Sequence, residues 1–331
     1  MSLDLQNSEV SFALHAVCAG GKLAETIQAN MTVTGVEKKD LSPVTIADFS
    51  CQAIVAKAMN TELKGAVLVG EEDSALLQED GQAEVIKLVT EYVQHVYPDA
   101  TPDAVCHWID AGNGHSCERF WTLDPIDGTK GYLRGEQYAV ALALIENGQV
   151  ILGALACPNL GLDASPGVAE EGTVLIAQRG KGCWRGLMSD PEQLEQVHVS
   201  DCSEIEKARL LRSVESGHTN TGTMGEIVTA LKIEADPVCL DSQAKYAVLA
   251  CGGGEALLRL LSASRPDYRE MIWDQAAGSI VIEEAGGRIT DLSGKALDFR
   301  QGITLANNRG VCASNGLVHD ALLKALAKHA C

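Results

Sequence analysis

The fold predicted for this chain is α+β in its first lobe and α/β in its second. Three observations predict it. Apolar residues at helical spacing open the chain and a series of β-type runs follows, which sets helices beside a long antiparallel sheet. From about residue 210 onward, short strands and helices alternate instead. The 331 residues, at roughly 150 per domain, suffice for two lobes. Apolar residues make up 46% of the chain and aromatic residues only 4%, so a sizeable core must be built from aliphatic side chains and Ala.

Element by element, residues 4–29 read as a helix, with Asp4 or Ser2 as candidate caps and Gly20–Gly21 as an interruption. Residues 47–63 read as a second amphipathic helix with Asp48 at its start. The run AVLVG at 66–70 predicts a buried strand that leads straight into Glu71, Glu72 and Asp73. Residues 82–97 look helical, while 98–118, rich in Pro, Asp, Gly and Asn, read as a loop. RFWTLD at 119–124 is a strand by composition. Two further β-type runs flank Asn147–Gly148, a strong hairpin signal, and strands near 173–177 and 183–186 extend the same sheet. The lobe boundary falls near residue 199, dividing the chain into 1–198 and 199–331. The second lobe reads as strand 210–216, helices 221–232 and 243–250, strand 255–261, helix 274–285, strand 287–291 and helix 316–329. Gly252–Gly254 ends the 243–250 helix; no Lys-Ser/Thr follows to make it a phosphate loop.

Charge narrows the function. Lys and Arg total 26 against 45 Asp and Glu, a net charge of −19. A protein that coats a nucleic-acid polymer needs a basic face to displace counterions, so that class is disfavoured. A small phosphorylated substrate is still compatible, because a local cation site can sit inside an acidic protein. No unbroken apolar run reaches the ~18 residues of a membrane span. The first residues, MSLDLQNSEVSFALHAVCAGG, have no basic leader region and no Arg-rich character, so a cytoplasmic protein is expected. The 11 cysteines are scattered without a CxxC pair, as expected of reduced thiols in a cytosol.

The chemistry is concentrated in WTLDPIDGTKGYLRG, residues 121–135. Pro125 fixes its own φ and biases Asp124 toward extended backbone. That arrangement presents the carboxylates of Asp124 and Asp127 and the Ile126 carbonyl in one tight turn, a set of hard oxygen ligands suited to Mg²⁺. Gly128 allows close backbone approach, and the Thr129 hydroxyl can orient a water. Asp-Pro and Asp-Gly are also common in ordinary turns, and Asp48 and Asp274 could be plain helix caps. Yet acidic groups recur at the ends of apolar elements: Asp48 in SPVTIADFS, GEED at 70–73, DPIDGT, and Trp273–Asp274 opening a helix.

Taken together, GEED, LDPIDGTKGYLRG and WDQAAGSIVIEEAGG resemble the lithium-sensitive, magnesium-dependent phosphomonoesterase superfamily, which includes inositol monophosphatase and fructose-1,6-bisphosphatase. The motifs span roughly residues 45–290. The continuation KGYLRGEQYAV, with SPVTIADFS and SQAKYAVLACG, is similar to the 3′(2′),5′-bisphosphate nucleotidases within it. The resemblance implies a layered α-β-α-β-α sandwich and removal of the 3′-phosphate from adenosine 3′,5′-bisphosphate and its phosphosulfate relative, in sulfur metabolism.

It further implies that Glu71, Asp124, the Ile126 carbonyl, Asp127 and Asp274 hold two or three Mg²⁺ ions. Asp48 and Thr129 would align and deprotonate water. Gly128 and Thr129 would cradle the scissile phosphate, and His218, Ser242, Lys245 and Arg259 would bind the nucleotide. Lithium inhibition is expected on the same ground. The implied partner is a small nucleotide bisphosphate, with no nucleic-acid polymer and no membrane, and the chain is expected to be a monomer or weak oligomer. The alternatives are an inositol-phosphate or sugar-phosphate phosphatase on the same scaffold, and a non-catalytic phosphonucleotide sensor.

Overall fold

A computed structural model describes residues 3–34, 43–165, 169–214, 221–261, 265 and 267–329. A seven-stranded sheet runs in chain order: β1 (Leu68–Gly70), β2 (Arg119–Asp127), β3 (Ala139–Glu146), β4 (Gln149–Cys157), β5 (Thr173–Gln178), β6 (Gly182–Leu187) and β7 (Asp190–Val197). β1 is parallel to β2 and every other neighbouring pair is antiparallel. The β3–β4 hairpin turns at Asn147–Gly148, both with positive φ, as the sequence predicts. A five-stranded sheet follows, in the order β11 (Arg288–Thr290), β12 (Val311–Ser314), β10 (Ala256–Arg259), β8 (Leu210–Arg212) and β9 (Val238–Cys239).

The nine α-helices among the described residues sort into layers according to which sheet face they cover. α1 (Ser8–Thr34), α2 (Pro43–Glu62), α3 (Ala83–Gln94) and α4 (Pro102–Asp110) share a core with Val140, Leu142 and Leu144 of β3. The alternate residues of that strand, Ala139, Ala141, Ala143 and Ile145, face α7 (Ala244–Ala250) and α8 (Ala276–Glu284). Period-two alternation thus separates the two cores. The small Ala side chains on this face let α8 approach the strand closely. On the far side of the second sheet lie α6 (Thr221–Leu231) and α9 (His319–His329), packed on Leu210, Ala256 and Leu258. The short α5 (Thr129–Arg134) follows β2 directly. The result is an α-β-α-β-α sandwich. No helix among the described residues is long and apolar enough to cross a membrane.

Several expectations are corrected. α1 is capped by Asn7, whose side chain accepts from the Glu9 and Val10 amides, rather than by Asp4; Ser2 lies outside the described residues. α1 runs unbroken through Gly20–Gly21, where bare backbone lets it pack on Val140 and Ala156. The stretch 98–118 contains α4, because Thr101 caps it through the Ala104 amide and Pro102 takes the first helical turn. α2 begins at Pro43, so Asp48 sits inside the helix rather than at its start. β7, β9 and β12 have no counterpart among the strands that the sequence predicts. Tertiary pairing makes strands of these short or polar segments.

His319, at the start of α9, is fully buried between Ser314 Oγ (2.9 Å from Nδ1) and Thr290 Oγ1 (3.0 Å from Nε2). Burial, aided by Arg288, pushes its pKa down to about 4 from 6.5. The unfolded chain therefore binds more protons than the folded one between pH 6.5 and about 4. The stability due to neutral His319 is complete above that window and is lost as pH falls through it. Urea titrations at pH 7.5 and 5 should show a loss that is smaller in a His319→Asn variant; equal losses in the two proteins would rule this out.

Candidate active site

Backbone register brings the first acids together. β1 lies parallel to β2 with Gly70 beside Leu123, and the Glu71 amide donates to the Leu123 carbonyl at 3.2 Å. Glu71 therefore leaves its strand alongside Asp124. Further along β2, Asp124 pairs with Ala141 and Asp127 with Ala139. Three residue steps on β2 thus match two on β3, and a bulge absorbs the extra residue. Without it, positions three apart would point to opposite faces. With it, both carboxylates point to the side of Ala139 and Ala141, toward α8. Pro125, which cannot donate to the ladder, occupies this irregularity.

Asp274 comes from the turn before α8. Carboxylate oxygens of Asp124, Asp127 and Asp274 all lie within 4.8 Å of one another. Gln243, just before α7, holds this arrangement. Its backbone amide donates to Asp127, its side-chain amide donates to the Trp273 carbonyl at 2.9 Å, and its Oε1 accepts from the Gly278 amide at 3.0 Å. One residue thereby links β2, α7 and α8. Sequence reasoning did not single out Gln243; its signal was its place next to Ser242 at the start of a helix.

The electrostatics follow from crowding. Burial, then Glu71, Asp127, Asp274 and Asp48, pushes the Asp124 pKa well above the carboxylate range. Burial and then Asp127 push Asp274 up to about 8. Burial raises Asp127 too, opposed by Lys245 and the Gln243 amide. Glu71 is also raised, chiefly by burial, although it is close enough to Asp124 to share a proton. Asp48 is 4% exposed, and its pKa is raised by burial and then by the neighbouring charges of Glu72 and Glu71. Glu72, which the sequence marks only as part of the GEED run, is pushed up to about 7 by burial and then Glu71. Asp124 Oδ1 is buried with no hydrogen-bond donor. An orphaned buried oxygen amid like charges fits a cation better than it fits a structural role.

Glu71, Asp124, Asp127 and Asp274 line a cavity of about 260 Å³, together with Ile126, Gly128, Thr129, Ser242, Lys245 and Arg259. Gly128 has φ +87°, and a Cβ there would lie 2.6 Å from Ser242 Cβ, so only Gly closes the turn against α7. Thr129 follows it, exposed, as the first residue of α5. Ser242 has φ +66°, an uncommon conformation for a non-Gly residue, and its Oγ accepts from the Ala244 amide at 3.1 Å. Lys245 is buried rather than on a solvated helix face, and burial drives its pKa down to about 8. Arg259 ends β10 with its Nε 2.6 Å from Glu270. Asp48 does not line the cavity, and His218 lies outside the described residues.

The model of the inositol monophosphatase family matches residues 6–330. The chain belongs to the inositol monophosphatase family. It is 41% identical to a 3′(2′),5′-bisphosphate nucleotidase of Schizosaccharomyces pombe, over 99% of this chain and 96% of that one. A Dictyostelium discoideum protein of the same name is 39% identical over 88% of each chain. Among solved structures, an inositol monophosphatase from Anabaena matches with TM-score 0.64 and 20% identity, over 98% of both chains. A family member from Bacteroides thetaiotaomicron matches with TM-score 0.59 and 17% identity, over 95% of this chain and 99% of that one. These structural likenesses establish the family fold for the sandwich described above.

Proposed function

We propose that this chain is a Mg²⁺-dependent 3′(2′),5′-bisphosphate nucleotidase that removes the 3′-phosphate from adenosine 3′,5′-bisphosphate and from its phosphosulfate analogue. The observation that carries this reading is the trio Asp124, Asp127 and Asp274 in one cavity with Lys245 and Arg259. Relatives of the same size, similar over nearly their whole length, bear that name.

Glu71, Asp124, the Ile126 carbonyl, Asp127 and Asp274 are the groups that would hold the metal. All are hard oxygen donors, the set preferred by Mg²⁺. When bound, the ions supply positive charge for the attacking and leaving oxygens and make water more acidic. The protein's own residues do the remaining work. Thr129, exposed at the cavity wall, orients the attacking water, and Asp48, beside the acidic cluster, accepts its proton. Backbone amides at Gly128–Thr129 receive the scissile phosphate. Ser242, Lys245, Arg259 and His218 position the nucleotide, with Lys245 meeting phosphate as a compact cation.

Turnover of adenosine 3′,5′-bisphosphate, inositol 1-phosphate, inositol 1,4-bisphosphate and fructose 1,6-bisphosphate under Mg²⁺ tests the assignment. The nucleotide should have the highest kcat/KM. A clear win for inositol 1-phosphate would overturn the substrate, and tight nucleotide binding without phosphate release would point to a sensor. The raised carboxyl pKa values give an independent expectation. The proton held on Asp274 (about 8) competes with metal, so Mg²⁺ affinity should rise as pH rises through about 8. Calorimetry in buffers of different ionisation enthalpy should show protons released on binding at pH 7; heats independent of the buffer would contradict it.

A further inference from the structure

The cations around the cavity are not equivalent. Arg259 Nε is 2.6 Å from Glu270, which is 3% exposed. Lys245 is buried beside Asp127 and Asp241. Asp241 is itself engaged, by Arg134 and by the Val214 amide at 3.2 Å. Arg212 differs in its charge partner: it lines the same cavity and no carboxylate among the described residues pairs with it, while its Nε, like that of Arg259, is buried without a hydrogen-bond acceptor. A buried donor on a permanent cation is costly to leave unsatisfied, and a bound anion would satisfy it.

Strand geometry places Arg212 apart from the acidic cluster. β8, β9 and β10 are parallel, and the cavity opens at their carboxyl ends, where open α/β sheets place ligands. Leu211 and Leu257 are in register and face α7 and α8, whereas Leu210, Ala256 and Leu258 face α6 and α9. By alternation Arg259 falls on the side of α8 and Arg212 on the side of α6, next to Met224 in the cavity wall. The two guanidinium groups therefore approach the cavity from opposite faces of the sheet, with Arg212 on the face turned away from Asp274.

We propose that Arg212 binds the second anionic group of the substrate, the phosphate that is not hydrolysed, and so sets the preference for bisphosphates over monophosphates. This inference rests on the nucleotidase reading and adds a residue to it. Arg is suited to the task because its planar fork offers parallel donors to phosphate oxygens, including the Nε that is left unpaired here.

The test measures kcat/KM for adenosine 3′,5′-bisphosphate and for adenosine 3′-monophosphate in the wild type, Arg212→Gln and Arg212→Lys. The ratio of the two values should fall about 10- to 100-fold in Arg212→Gln, mainly through KM for the bisphosphate. It should fall by less in Arg212→Lys, which keeps the charge and loses the fork. Binding of adenosine 5′-monophosphate relative to adenosine, by calorimetry without metal, should weaken in parallel. Should the Gln variant fail to fold in thermal melting, the Lys variant decides by the same ratio. Equal losses on both nucleotides would put Arg212 against the nucleoside and overturn the proposal, as would an unchanged ratio. A wild type that prefers inositol 1-phosphate defeats the nucleotidase reading itself. A wild type that prefers the bisphosphate, with variants that keep the preference, defeats only the role of Arg212.

Discussion

Replacing Asp124 by Asn is expected to lower kcat/KM by roughly 10³-fold, since charge stabilisation by metal contributes several kcal/mol to such reactions. The same change should raise the melting temperature of the metal-free protein. Asp124 is 2% exposed, its Oδ1 has no donor, and burial with four neighbouring acids raises its pKa well above 3.8. The folded state therefore holds a proton that the unfolded chain gives up. Its contribution to stability is complete below the unfolded pKa and is lost as pH rises toward and through the folded value. Asn cannot ionise, so the stabilising effect should grow with pH. Melting curves in chelator at pH 5 and 8, alongside phosphate release with Mg²⁺, give both readouts. Wild-type rates, or a lower melting temperature at pH 8 in chelator, would remove Asp124 from the proposed centre.

Gly278→Ala should disable the site without touching a proposed ligand. Gly278 is buried in α8, and a Cβ there would lie 2.3 Å from the Tyr246 ring of α7. Tyr246 is 3% exposed and its hydroxyl donates to Gln275, so the ring has no room to withdraw. Overpacking of this kind costs about 1–3 kcal/mol. The strain falls on the Gln243 tether, which joins α7 to the Gly278 amide and to Asp127, so the Asp127–Asp274 spacing should widen. Loss of stability together with weaker Mg²⁺ affinity is the expected result. Gly225→Ala is the control: in α6 a Cβ meets nothing within 4 Å, and helix propensity favours Ala by roughly 0.5–1 kcal/mol. If both variants melt and bind metal alike, close packing between α7 and α8 does not set the site.

Much of the architecture is legible in the sequence. The Asn147–Gly148 turn was legible because two-residue hairpins require positive φ, which few residue types tolerate. The α4 segment reads as loop although its start signal, Thr101–Pro102, is present, along with Val105 and Ile109 four apart on its buried face. Loop-like composition upstream and downstream outweighed that signal. Asp48 reads as the start of its helix because the apolar periodicity is clear only from there, although Ser42–Pro43 offers a start signal five residues earlier, where α2 begins. β12 is not legible in the sequence because its four-residue run becomes a strand only when β10 and β11 flank it.

Local chemistry in the sequence determined the acids themselves: which carboxylates stand at element ends, the Pro and Gly that shape DPIDGT, and the apolar runs that carry them. Those features depend on neighbours a few residues away, where backbone sterics and side-chain periodicity dominate. The tertiary structure alone decided which acids meet. A bulge paired against β3 turned Asp127 to the side of Asp124, Gln243 drew Asp274 to them across the sandwich, and Glu270 engaged Arg259 while Arg212 kept no carboxylate partner among the described residues. These are contacts between segments up to about 150 residues apart, from Asp124 to Asp274, and they arise from sheet register and helix packing, which no short window of sequence encodes.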